Sequence, residues 1–313
     1  MAFAFVFPGQ GSQSVGMLGP LATSGNTVRD TFAEASEVLG YDLWKLASEG
    51  PEETLNATER TQPAMLAAGV ATWRVWRERG GAEPSVVSGH SLGEFTALVC
   101  AQVMEFPAAV ELVRFRGQVM QEAVPAGTGA MAAVLGLGDE AIVAVCREAA
   151  RGEVVEAANF NSPGQVVIAG ATAAVQRALE AARLRGARRT VVLPVSVPSH
   201  SSLMCAAGER LRTALAPLAL QPPRIPYISA VDATAHDSPD DIRETLVRQL
   251  SSPVRWTETL RALSAGSLAQ VIECGPGRVL TGLNRRIERR AGLTFLALDD
   301  PEAIDAALTA TGR

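Results

Sequence analysis

The sequence predicts an α/β fold, a core built on a parallel sheet with a smaller β-α-β-β-α-β unit inserted in it. Three observations carry that reading. Short apolar runs of strand length alternate with longer helical stretches along the chain, an order that builds parallel sheets. Gly89-His90-Ser91-Leu92-Gly93 stands between the β-branched run Ser85-Val86-Val87 and a helix start at Glu94. That is the strand-turn-helix setting of a nucleophile elbow. Between Gly127 and Pro194 the texture changes, and the elements follow a ferredoxin-like order.

Composition bounds the answer. The 313 residues are 47% hydrophobic and 19% charged, enough for one large domain or a large and a small one with a sizeable core. A formal net charge of -5 argues against a general nucleic-acid binder. Cys100, Cys146, Cys205 and Cys274 lack metal-ligand spacing, so no metal is expected. Three of them sit in apolar runs and read as small buried thiols, which suits a reducing, cytoplasmic location. Met1 to Phe7 is too short for a signal peptide and lacks a basic start. No apolar run reaches membrane-spanning length.

In chain order, Phe3 to Phe7 is unbroken apolar and reads as a central strand. The loop Pro8-Gly9-Gln10-Gly11-Ser12-Gln13 follows, with amides at a strand's C-terminal edge, where α/β sheets bind ligands. Asn26 or Thr27 caps a helix ended by Gly40, and Asp42 starts a short one ended near Gly50. Thr61 caps a longer helix from Gln62 to Arg79, and the helix after the elbow runs to Gln102. Pro107 opens the next, to about Ala123.

In the insert, Ala130 to Leu135, Val154 to Ala158, Val166 to Ala169 and Thr190 to Leu193 read as strands. Asn159 to Gly164 reads as a turn, and Asp139 to Ala150 and Ala171 to Arg185 as helices. Beyond it, the stretch from Val195 leads as a strand into His200, and a helix runs from about Ser201 to Leu215. Asp241 to Leu250 and Trp256 to Ala265 are helical. Ala269 to Cys274 is a buried strand, then Gly275-Pro276-Gly277 and a helix through Arg290. That glycine turn lacks the Lys-Ser/Thr of a phosphate loop, so nucleoside triphosphate binding is rejected.

Three residues carry chemistry on their own pattern. Ser91 would be lifted out of the sheet at a helix N-terminus, a place that favours negative charge. Arg116 has Leu112, Val113, Val119 and Met120 as helical neighbours, so it is centred on an apolar face. A buried arginine must find an anion. Two anions stay open, an internal Asp or Glu and a ligand carboxylate. Without ligand, its guanidinium needs water or a polar neighbour such as Gln10. The chain has only three histidines, His90, His200 and His236. His236 lies in a polar loop, and His90 should point away from Ser91. His200 is the remaining candidate base, although a lone loop histidine is often incidental.

Phe7-Pro8-Gly9-Gln10-Gly11-Ser12-Gln13, Gly89-His90-Ser91-Leu92-Gly93-Glu94, Arg116, Val197-Pro198-Ser199-His200 and Glu273-Cys274-Gly275-Pro276-Gly277 together resemble the malonyl-CoA:acyl carrier protein transacylases of bacterial type II fatty-acid synthesis. The resemblance runs from Met1 to about Ala310. It implies an α/β-hydrolase-like core, 1–126 and 194–313, and a ferredoxin-like subdomain, 127–193. It implies Ser91 as nucleophile and His200 as its base, with the backbone carbonyl of Gln249 in place of a third acid. The N–H groups of Leu92 and Gln10 would form the oxyanion hole. Arg116 would hold the malonyl carboxylate in a bidentate pair, and His90 would line the same pocket. Many relatives have Tyr at Phe95 and Gly at Gln102, and several have Cys at Ser201. None of these departures touches the proposed chemistry.

The resemblance implies malonyl-CoA and an acidic acyl carrier protein as partners. No cofactor of the protein's own is needed, since phosphopantetheine comes with the carrier. A free-standing cytoplasmic monomer is expected, without nucleic acid or membrane. Two arginine clusters could meet an acidic carrier, Arg183, Arg185, Arg188 and Arg189 in the insert, and Arg285, Arg286, Arg289 and Arg290 near the end. The rivals are a serine hydrolase or thioesterase, a polyketide-type acyltransferase and a non-enzymatic docking module. A hydrolase would not need the arginine, and a docking module would need no paired Ser91 and His200.

Overall fold

The computed structural model describes residues 2–195 and 197–312. Its strands are, in chain order, β1 (Phe3–Phe7), β2 (Val86–Gly89), β3 (Gly129–Leu135), β4 (Val155–Ser162), β5 (Gln165–Ala171), β6 (Arg189–Val192), β7 (Tyr227–Ile228), β8 (Gln270–Glu273) and β9 (Thr294–Ala297). One sheet has the order β7-β2-β1-β8-β9. All its pairings are parallel, as the alternating strands and helices of the sequence require. The other has the order β4-β5-β3-β6 and is antiparallel throughout.

β1 is buried along its whole length. Its two faces differ, because side chains alternate along a strand. Phe3, Phe5 and Phe7 join the core under helix Thr58–Glu78, where Phe5 meets Trp76 edge-on at 5.3 Å between ring centroids. Ala4 and Val6 face the opposite core of Trp256, Leu260 and Leu263. In the smaller sheet, Ala130, Ala132 and Val134 pack on helices Asp139–Ala150 and Thr172–Leu184. Met131, Val167 and Ala169 face the other way, and Met131 and Val167 line the active-site cavity.

Several boundaries differ from the sequence reading. The long helix begins at Thr58, not beyond Thr61, and carries Pro63 within it. Its first N–H groups are elsewhere employed, since Glu59 N donates to Gln121 Oε1 at 2.8 Å. Asn159 to Gly164 is not a turn. β4 runs on to Ser162 through register shifts, leaving Pro163-Gly164 as the whole connection. No strand leads into His200 among the described residues, and Ser196 lies outside them. A short 3₁₀ turn, Ser202–Met204, precedes helix Cys205–Leu215. The helix after β8 stops at Ile287, short of Arg290. β7, β9 and helix Pro301–Thr311 went unread. Cys100, Cys146 and Cys274 are buried and Cys205 is exposed.

Candidate active site

β2 ends at Gly89, helix Gly93–Cys100 follows, and Ser91 sits between them with φ 53°. That left-handed backbone is costly for a serine. The glycines make the turn buildable by close approach. A Cβ on Gly89 would lie 2.0 Å from the Gly93 carbonyl carbon, and one on Gly93 2.0 Å from the Phe7 carbonyl oxygen. The elbow is therefore pressed onto the end of β1.

His200, with φ 63°, reaches the same point from the other side. Its N–H donates to the Leu250 carbonyl at 2.9 Å. Nδ1 lies 2.9 Å from the Gln249 carbonyl oxygen and 3.2 Å from that of Ser252. Carbonyls only accept, so Nδ1 carries the proton and Nε2 is the acceptor. The Ser91 hydroxyl then donates to Nε2 across 2.7 Å. Burial, and after it the charge of Arg116, pushes the His200 pKa down to about 3. The ring is a neutral base in the free protein.

Arg116 is 1% exposed. No Asp or Glu among the described residues pairs with it, so the internal ion pair is not what holds it. Nor does Gln10, whose Nε2 approaches Thr58 Oγ1 at 3.5 Å. The guanidinium donates from Nη1 to Gln62 Oε1 and from Nη2 to Gln249 Oε1, each at 2.9 Å. Nη2 is also 3.5 Å from Ser91 Oγ. Each Nη has two hydrogens. Both on Nη2 are directed at protein acceptors, the second only across 3.5 Å, while one on Nη1 and the buried Nε–H have no partner among the described residues. The Phe95 ring lies 5.5 Å from its Cζ, a cation–π contact. Burial lowers its pKa to about 10, and the charge of Glu94 partly offsets that. It stays cationic at neutral pH.

A cavity of about 250 Å³ joins these groups to Gln10, His90, Leu92, Asn159 and Asn161. Leu92 and Gln10 lie beside Ser91, and among the described residues neither backbone N–H donates within the protein. The loop that carries Gln10 is braced by Gln13, whose Oε1 accepts from Gly11 N and whose Nε2 donates to Asn56, each at 2.7 Å. Gly275 supports it from behind, with Pro8 placed 3.0 Å from where a Cβ would stand. His90 turns from Ser91, as read, and its Nε2 meets Asn161 Oδ1 at 2.8 Å. Burial lowers its pKa and keeps it neutral, with the Asn161 bond opposing. His236 is elsewhere, on Asp232 at 3.1 Å. No set of His, Cys, Asp or Glu among the described residues could hold a metal.

Sequence reasoning missed Gln62, Glu94, Asn161 and Ser252 as parts of this site. Glu94 had a visible signal, a carboxylate opening the apolar stretch Phe95 to Cys100. It is fully buried. Burial raises its pKa, against bonds from Ala230, Ser229 and Gln249 that lower it. Gln102, in contrast, lies outside the cavity. Its φ of 60° is a backbone that favours the glycine many relatives carry there.

A family model described as the acyl transferase domain matches residues 4–290. The chain is 54% identical to the malonyl CoA-acyl carrier protein transacylase of Escherichia coli K12, over 98% of each protein. A solved acyl carrier protein S-malonyltransferase from Vibrio cholerae is 56% identical, with a TM-score of 0.94 over 98% of this chain and 100% of that one. A malonyl-transacylase solved in complex with its type II PKS acyl-carrier protein is 52% identical, with a TM-score of 0.97 over 99% of this chain and 100% of that one. The chain belongs to the malonyl-CoA:acyl carrier protein transacylase family of acyl transferases.

Proposed function

We propose that this protein transfers the malonyl group of malonyl-CoA to the phosphopantetheine thiol of an acyl carrier protein, supplying malonyl carrier protein for fatty-acid elongation. The observation that carries this reading is the pairing of Ser91 and His200 at 2.7 Å with the Arg116 guanidinium, which has no ion-pair partner among the described residues and donates from Nη2 to the same hydroxyl at 3.5 Å. A general hydrolase has no use for a buried cation at that distance. A malonyl thioester has a carboxylate at the far end of its acyl group, and the free Nη1 hydrogen together with the weakly engaged Nη2 hydrogen suits it.

The steps follow from the donors. Ser91 Oγ attacks the thioester carbonyl as its proton passes to His200 Nε2. The carbonyls of Gln249 and Ser252 stabilise the cationic ring through Nδ1–H. The N–H groups of Leu92 and Gln10 receive the oxyanion. The C–S bond breaks, and CoA leaves as a thiol with the proton from Nε2. The carrier's thiol then gives its proton to Nε2 and attacks the Ser91 ester, and Ser91 regains its hydrogen. Malonyl carboxylate seated on Arg116 answers the charge that depresses His200, so the base strengthens as the correct substrate binds.

In this reading 1–126 and 194–313 form the catalytic core and 127–193 the smaller subdomain, which walls the cavity. β3 to β6 all fall inside the second span. Ser91, His200, Arg116 and both N–H groups come from one chain, so a monomer suffices. No cofactor of its own enters any step. Among the described residues no helix is long and apolar enough to cross a membrane, and we place the reaction in the cytoplasm. The test is incubation with malonyl-CoA and intact-mass measurement. The expected result is a malonyl adduct on Ser91 that holo carrier protein discharges and water does not. Rapid loss of the adduct to water alone would make the protein a thioesterase.

A further inference from the structure

Arg116 is a fully buried cation whose counter-charge does not touch it. Glu94 is 0% exposed and has no cation within ion-pair distance among the described residues. Gln249 stands between the two. Its Nε2 donates to Glu94 Oε2 and, at 3.0 Å, to the Ser91 carbonyl, while its Oε1 accepts from Arg116 Nη2 at 2.9 Å. The other Glu94 oxygen accepts from Ser229 Oγ at 2.8 Å and from Ala230 N at 2.5 Å. A carboxylate only accepts and a guanidinium only donates, so an amide between them has one orientation. The Ser91 carbonyl, another pure acceptor, enforces the same one.

We infer that Glu94 is a positioning residue for the acyl carboxylate, acting through Gln249 to hold Arg116 charged, oriented and clear of a direct carboxylate partner. The inference rests on the reading of Arg116 as the carboxylate's seat. A direct Glu94–Arg116 pair would fill the fork, and the substrate would have to displace it. With the amide interposed, the negative charge still stabilises the cation, yet one Nη1 hydrogen and the Nε–H are left free and the second Nη2 hydrogen is held only by the 3.5 Å contact to Ser91 Oγ. The same Gln249 offers its backbone carbonyl to His200 Nδ1. One residue thus aligns the clamp with its side chain and the base with its main chain.

Glu94→Gln separates charge from shape. The Ala230 N–H must keep an acceptor, so the new amide turns its oxygen there and its NH₂ toward Gln249. Gln249 must then flip and present its own NH₂ to Arg116, donor against donor. The opposing effect is electrostatic, because removing an anion near the site favours an incoming carboxylate. The two effects predict opposite signs, so the measurement decides between them.

The experiment compares kcat/KM for acylation of Ser91 by malonyl-CoA and by acetyl-CoA in wild type, Glu94→Gln, Gln249→Leu and the double variant. Melting and fluorophosphonate labelling of Ser91 report folding and dyad integrity. The expected result is a malonyl-to-acetyl ratio at least about tenfold below wild type in Glu94→Gln. The double variant should fall no further than the worse single, as for residues acting in series. A ratio unchanged or raised in folded Glu94→Gln overturns the inference, and so does additivity in the double variant. If Glu94→Gln does not fold, Glu94→Asp replaces it, keeping the charge but shortening the reach to Gln249. An unchanged ratio there overturns the inference as well. Failure of the underlying reading looks different, since wild type itself would then show no preference for malonyl-CoA.

Discussion

Ser91 and His200 meet at 2.7 Å, and both do so from left-handed backbone, with φ 53° and 63°. Neither is a glycine, so each conformation is held by its surroundings. Two separately constrained loops converge on one hydrogen bond, which leaves the dyad preorganised. Ser91→Ala should therefore keep the fold and abolish the malonyl adduct. His200→Ala should slow acylation by roughly 10²- to 10⁴-fold, the span of general-base catalysis. Stopped-time intact-mass measurements check both. Wild-type acylation by His200→Ala would place the base elsewhere.

Arg116→Ala should lose transfer from malonyl-CoA and lose little from acetyl-CoA. Truncating one partner of a buried charge pair costs about 2–5 kcal/mol. At about 1.4 kcal/mol per tenfold, kcat/KM for malonyl-CoA falls roughly 30-fold to several thousand-fold. Arg116→Lys should recover little of this, because a point charge cannot grip both oxygens. Steady-state transfer from the two esters is the measurement. An equal loss for both would make Arg116 a purely structural residue.

The pH profile follows from the depressed histidine. A base works while unprotonated, so a folded-state pKa of about 3 keeps His200 competent far below the ordinary value of 6.5. The profile of kcat/KM reports groups of the free enzyme. For malonyl-CoA it should stay level from pH 8 to about 5, without a limb near the unperturbed histidine value. Arg116→Met removes the second cause of the shift and leaves the first, burial. With acetyl-CoA its acid limb should move up toward 6.5 without reaching it. A wild-type limb near 6.5 contradicts this account of the site.

Carrier docking should depend on Arg189 and Arg286, which no carboxylate among the described residues neutralises. Arg185 is paired with Glu148 at 2.5 Å, and Arg183 donates to Thr190 Oγ1 at 3.0 Å. Arg290 is spent on the carbonyls of Ser264, Gly266 and Leu268. Arg286 instead reaches across to Gln165 Oε1 at 2.8 Å. Gln165 aligns with Leu135, and Leu135 with Arg189. The two clusters that looked separate in sequence thus meet at one end of the smaller sheet. Arg189→Glu with Arg286→Glu should raise the apparent KM for carrier protein several-fold at low salt. Hydrolysis of malonyl-CoA alone should not change. An unaltered KM at low salt excludes the patch.

The sequence shows the dyad because its backbone demands are local. The elbow needs Gly89 and Gly93 where they press on Gly93 and Phe7, and that need is visible in five letters. Helical spacing likewise finds the apolar face of Arg116. It cannot find what that face meets, since Gln62 and Gln249 lie 54 and 133 residues away along the chain. Gln10, the polar neighbour expected for Arg116, approaches Thr58 and is not the partner. Asn159 and Asn161 hid the second half of β4 for a related reason. Asparagine reads as turn chemistry, yet here both side chains line the cavity. β7 is two residues long and follows Pro226, too brief to show a pattern.

β4 is laced to the core along its length. Val254 N donates to the Ala158 carbonyl and Phe160 N to the Val254 carbonyl, each at 2.9 Å. Thr257 Oγ1 donates to the Phe160 carbonyl at 3.1 Å, and Glu156 accepts from Ser202 N and Oγ at 2.8 Å. Val254 also lies just beyond Ser252, whose carbonyl faces His200. Swinging the smaller sheet outward would unpick this seam and tug on the main chain that steadies the imidazole. The wall of the cavity and the steadiness of the base are thus one mechanical unit, because the same short stretch of main chain serves both.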